Sequence, residues 1–71
     1  MDTKRIPLTG EIWKHYKHDD PYMIMTLARF ELGLEIAVVY RSINNGKIWV
    51  RSLEDFLGYV ESGCPRFLRS S

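Results

Sequence analysis

The stretch "IAVVYRSINNGKIWVRS" constrains this chain more than any other. Two runs rich in β-branched and aromatic residues flank Asn45-Gly46, a dipeptide that tolerates the positive φ of a tight type I′ hairpin turn. With a two-residue loop, Tyr40 opposes Arg51, Arg41 opposes Val50, Ser42 opposes Trp49 and Ile43 opposes Ile48. One face of the expected hairpin then carries Tyr40, Ser42, Trp49 and Arg51. The other carries Val39, Arg41, Ile43, Ile48 and Val50, and its aliphatic content marks it as the expected core side.

The second strand runs straight into a helix start. Ser52 occupies an N-cap position, with Asp55 three residues later in capping-box register. Leu53, Phe56, Leu57 and Val60 form one helical stripe, and Gly58 within it shortens the expected helix. Upstream, "EIWKHYK" (11–17) alternates as a strand does, and "HDDP" (18–21) is turn chemistry. "YMIMTLARF" (22–30) is nearly all apolar and reads as a strand buried on both faces, with a helix as the rival assignment. "ELG" (31–33) breaks that run before a central strand over 34–43. "ESGCP" (61–65) ends the helix, and "RFL" (66–68) returns as an edge strand. The expected fold is mainly β with one short helix, in the order β-β-β-β-α-β. It is either a small SH3-like barrel or a strongly curved antiparallel sheet.

A chain of 71 residues makes one domain. Residues 1–10 read as an N-terminal arm, 11–68 as the β-rich domain and 69–71 as a tail. Ten Lys and Arg against nine Asp and Glu leave a net charge of +1. That balance gives no electrostatic case for an obligatory nucleic-acid or membrane partner, and it makes self-association into a homo-oligomer easy to accommodate. The single Cys64 excludes an intramolecular disulfide, and "MDTKRIPLTG" lacks the apolar segment of a secretory leader. The expected setting is the cytoplasm.

"KHYK", "LEIAVVYRS", "WVRSLEDFL" and "PRF" together resemble the short bacterial family of unknown function numbered sixteen fifty-three. That family reads R-H-Y-K-G, then L-V-V-Y, then W-V-R-P-L-E-x-F, then P-R-F. The resemblance runs from Trp13 to Phe67 and includes His15, Tyr16, Lys17, Arg29, Tyr40, Trp49, Arg51, Glu54, Phe56, Arg66 and Phe67. Phe30, Ser52 and His18 stand where the family has His, Pro and Gly. The resemblance implies a compact β-rich module and a set of polar positions, with no activity to inherit. Phe30 in place of His weakens any borrowed ligand role at that edge.

Trp49, Arg51 and Tyr40 lead the candidate site residues. Arginine offers a planar fork of donors to a phosphate or carboxylate, and the aromatic rings offer a stacking surface. The structural alternative makes Trp49 a core residue and Arg51 a salt-bridge partner of Glu54. His15 and Arg29 complete the candidate set. His15, His18, Asp19 and Asp20 cluster as a turn does and fall short of a four-ligand metal site, so no metal is expected. Cys64 with His15 would make a thiolate–imidazole pair, yet no nucleophile motif accompanies it, and no catalysis is expected.

The expected function is non-enzymatic binding of a small anionic ligand, a nucleotide among the candidates, without a cofactor. Trp49 and Tyr40 stack on it, Arg51 takes the anion, and His15 adds a pH-dependent hydrogen bond. The alternative is a protein-interaction module, such as a phage- or plasmid-encoded inhibitor of a host defence system. A second alternative is a single-stranded nucleic-acid binder, from the interleaved rings and cations of "IWKHYK" with Lys4, Arg5, Arg66 and Arg69.

Overall fold

The computed structural model describes residues 6–33 and 35–70. Strands β1 (Ile12–His15), β2 (Pro21–Arg29), β3 (Ile36–Ser42) and β4 (Ile48–Ser52) lead into helix α1 (Leu53–Phe56) and strand β5 (Phe67–Arg69), in the expected order. All pairings are antiparallel, in the spatial order β4-β3-β2-β1-β5. A bulge between Ile24 and Thr26 bends β2. The two edges, β4 and β5, do not pair, so the sheet is not closed and the SH3-like barrel alternative is corrected to an open sheet. Closure needs tilted strands long enough to meet at both edges, and β5 has only 3 residues.

The β3–β4 hairpin forms where the sequence places it but with a longer loop. Ser42 N–H donates to Lys47 C=O, and Gly46 N–H donates back to Ser42 C=O, both at 2.8 Å, so residues 43–46 make the turn. Gly46 takes φ 77°, whereas Asn45 keeps negative φ, which excludes the type I′ turn. Asn45 works through its side chain: Oδ1 accepts Lys47 N–H at 2.9 Å. Tyr40 consequently opposes Trp49, and Val38 opposes Arg51, a slip of two positions from the expected pairing. A slip of two preserves side-chain facing. Tyr40, Ser42, Trp49 and Arg51 therefore do share a face.

That face, and not the more aliphatic one, meets the core. Val38, Tyr40 and Ser42 are buried, while Ile43, Ile48 and Val50 are exposed on the outer side. The core gathers Trp13, Ile24, Val38, Tyr40, Phe56 and Phe67, with Tyr22, Leu27, Leu53 and Leu57 packed around it. Phe56 is its centre, fully buried and stacked on Phe67 with centroids 4.2 Å apart. A chain this short has one helix to lay on its sheet, so the second face is left to water, as antiparallel sheets allow. For the same reason β2 is not buried on both faces: Ile24 is buried but Met25 and Thr26 are exposed.

Ser52 caps α1 as expected, its Oγ accepting Asp55 N–H at 3.1 Å. The helix closes at Phe56, and Val60 lies beyond it. The expected arm is docked at its end: Pro7 is buried, and Gly10 N–H donates to Ile24 C=O at 2.8 Å. The expected tail also begins too early, since Arg69 belongs to β5 and Ser70 N–H donates to Ile12 C=O at 2.6 Å. Residues 1–5, with Lys4 and Arg5, and residues 34 and 71 lie outside the described residues.

Candidate functional site

Antiparallel pairing brings distant side chains to one place. β1 sets His15 opposite Phe67 of β5, while β3 sets Tyr40 beside Trp49 and Val38 beside Arg51. His15, Tyr40, Trp49 and Arg51, with His18, Tyr22 and Phe67, line a cavity of about 190 Å³. Four of the five candidate residues thus meet. Arg29 does not: it sits exposed opposite Ile36 at the far end of β2, a strand of nine residues whose other end carries Tyr22.

Arg51 is held from three sides. Its Nε donates to the Tyr40 hydroxyl at 3.3 Å, its Nη1 pairs with Asp55 at 2.5 Å, and its Cζ lies 5.8 Å from the centre of the Phe67 ring. The expected Glu54 partner is corrected to Asp55, four residues on from Arg51, because adjacent residues leave the helix in different directions and Asp55 is the one on the Arg51 side. Asp55 also faces Arg66 at 3.7 Å, so one carboxylate stands between two guanidinium groups. Burial alone would lower the Arg51 pKa, but the hydrogen bonds of Tyr40 and Asp55 outweigh it and raise it, so the group stays charged. Trp49 is not core. It is 48% exposed and enters no ring contact among the described residues.

His15 carries the cavity's proton chemistry. Its Nδ1 accepts Lys17 N–H at 3.1 Å, which places the proton of the neutral ring on Nε2. Its ring meets Phe67 edge-on at 5.1 Å and stacks on His18 at 5.5 Å. Burial lowers its pKa first, followed by the charges of His18, Arg51, Arg66 and Lys17. Tyr22 is shifted the other way, its pKa raised by burial, then by Asp20 and Tyr40.

Sequence reasoning passed over His18, Tyr22 and Phe67 as cavity residues. His18 reads as part of a turn and Tyr22 as part of an apolar run. Phe67, in the "PRF" match, was flagged by the family pattern alone. Trp13 of "IWKHYK" is buried, its Nε1 donating to Glu11 at 3.1 Å, so one ring of the supposed nucleic-acid stripe belongs to the core. Cys64 and His15 both line a neighbouring cavity of about 400 Å³, where Cys64 Sγ lies 3.2 Å from Ser62 Oγ. No three His, Cys, Asp or Glu side chains converge as a metal site among the described residues. No helix among them is long and apolar enough to cross a membrane.

The model of a family described as a protein of unknown function (DUF1653) matches residues 11–69. No curated protein and no solved structure matches the chain.

Proposed function

The chain belongs to the DUF1653 family, and from its site we propose that it is a non-enzymatic binding module for a small anionic ligand. The observation that carries this reading is the cation in the cavity wall: Arg51 lines the cavity beside His15 and stays charged there, held by Tyr40 and Asp55. An anion entering there meets charge that Asp55, shared between Arg51 and Arg66, only partly balances.

The cavity, at about 190 Å³, is smaller than the roughly 300–1,000 Å³ usual for whole small-molecule ligands. It suits a phosphate or carboxylate head, with a planar body of nucleotide type lying outside against the exposed Trp49. The setting we assign is the bacterial or phage-infected cytoplasm, consistent with an exposed free thiol at Cys64.

Titration of Trp fluorescence with inorganic phosphate, acetate and a nucleoside monophosphate tests the reading. A saturable change that is lost in Trp49→Phe and Arg51→Ala, and weakened in Arg51→Lys, supports it. No response to any of the three at millimolar concentration overturns it, and the protein-interaction reading then takes first place.

A further inference from the structure

β4 is the last strand on its side of the sheet, and neither a proline nor a bulge in it blocks pairing with another strand. Ile48, Trp49 and Val50 are exposed at 57%, 48% and 58%, and no proline interrupts the strand. Because Ser42 N–H reaches Lys47 C=O, ladder alternation turns the peptide groups of Trp49 and Arg51 toward β3. The N–H groups of Ile48, Val50 and Ser52 therefore face outward, along with the carbonyls of Ile48 and Val50.

We infer that β4 pairs antiparallel with β4 of a second copy of this chain, about a two-fold axis through Val50, and joins the two sheets edge to edge. This inference does not depend on the ligand reading.

The register follows from what the strand leaves unused. With Val50 opposite Val50, the outward peptide groups of both copies exchange hydrogen bonds at the axis, and Ser52 N–H meets Ile48 C=O of the other copy. Trp49 then stands directly opposite Arg51 of the second copy in a non-hydrogen-bonded pair, where side chains approach most closely. The pairing occurs twice by symmetry. Among the described residues Trp49 has no ring contact of its own, and the Arg51 guanidinium has only the Phe67 ring against it, so a second aromatic face can stack there. Further along, Lys47 faces the start of α1 in the second copy, beside Glu54. Neither Lys47 nor Glu54 has an ion-pair partner among the described residues. The edge is thus self-complementary in backbone, ring and charge. The net charge of +1 adds little repulsion between copies.

Sedimentation and cysteine cross-linking test this together. The natural chain should run at twice its single-chain mass, and Val50→Lys should return it to the single-chain mass with unchanged far-UV circular dichroism, since it sets like charges face to face on an exposed position. On oxidation, Val50→Cys in a Cys64→Ser background should give a covalent dimer, because Cα atoms of opposed strand residues lie about 5.5 Å apart, within disulfide reach. Ile48→Cys in the same background should not cross-link, being offset from its own copy. A natural chain that stays single up to about 1 mM, where even a millimolar contact is half formed, overturns the inference. So does a dimer that survives Val50→Lys, or that cross-links through position 48 and not 50.

Discussion

The Tyr40 hydroxyl accepts a hydrogen bond from Arg51 Nε at 3.3 Å, while the Tyr40 ring meets Tyr22, Phe56 and Phe67 edge-on at 5.4, 5.4 and 5.5 Å. One side chain therefore belongs to the core through its ring and to the cavity through its oxygen. Tyr40→Phe separates the two roles. It keeps the packing and removes the acceptor, so it should cost about 1 kcal/mol, the usual net worth of a hydrogen bond. Urea denaturation measures that loss, and the affinity for any anion that binds should fall with it as Arg51 loses its support.

Phe56 joins the helix to the sheet. It stacks on Phe67 at 4.2 Å and meets Trp13 edge-on at 5.3 Å, with no exposed surface. Phe56→Ala leaves a ring-sized void at the centre of a small core and should cost about 3–5 kcal/mol. That is most of the stability a domain this small has. Loss of near-UV circular dichroism at room temperature is the expected readout; a cooperative, nearly native melt would mean that the helix does not anchor the core.

The cap is a smaller effect on the same element. Ser52→Ala removes the acceptor for Asp55 N–H and should cost roughly 0.5–2 kcal/mol. Because Asp55 is also the Arg51 partner, the Arg51→Ala and Ser52→Ala losses should not add independently. A double-mutant cycle reads the coupling.

In the turn, Gly46 and Asn45 should behave differently. Gly46→Val forces a β-branched residue to positive φ and should cost on the order of 1 kcal/mol or more. Asn45 keeps negative φ and contributes one exposed side-chain bond to Lys47, so Asn45→Val should cost less. Equal losses at the two sites would point instead to a turn with both residues left-handed.

Stability should also fall in mild acid. The folded chain lowers the His15 pKa below its ordinary 6.5, so the unfolded chain binds the proton more readily. The His15 contribution is therefore complete above about pH 6.5 and declines as pH drops through the interval down to the folded-state value. Melting temperatures between about pH 7.5 and 5.5 should show that slope, and His15→Asn should flatten it while keeping an acceptor for Lys17 N–H. An anion bound beside His15 acts in the opposite sense. It favours the imidazolium, so binding should strengthen as pH falls.

Much of the candidate site was legible because its facing depends only on the two-residue period of a strand. Tyr40, Trp49 and Arg51 share a side under the expected register and under the observed one. His15 was reached through its neighbours in "KHYK", whereas its contact with Phe67 depends on β5 returning to pair with β1. Arg29 was included on family resemblance, and strand geometry carries it away from the other four.

What the sequence determined by itself was local: the order of elements, the hairpin, the Ser52 cap and the short helix. Each rests on contacts within a few residues, where side-chain chemistry and backbone preference act directly. The tertiary structure alone decided which hairpin face turns inward. Both faces are apolar enough, and the choice fell to Trp13, Tyr40, Phe56 and Phe67, rings far apart in the chain that pack on one another. It also decided that Arg51 takes Asp55 rather than Glu54, because an ion pair forms where the capped helix turn carries a carboxylate, and adjacent residues leave a helix in different directions.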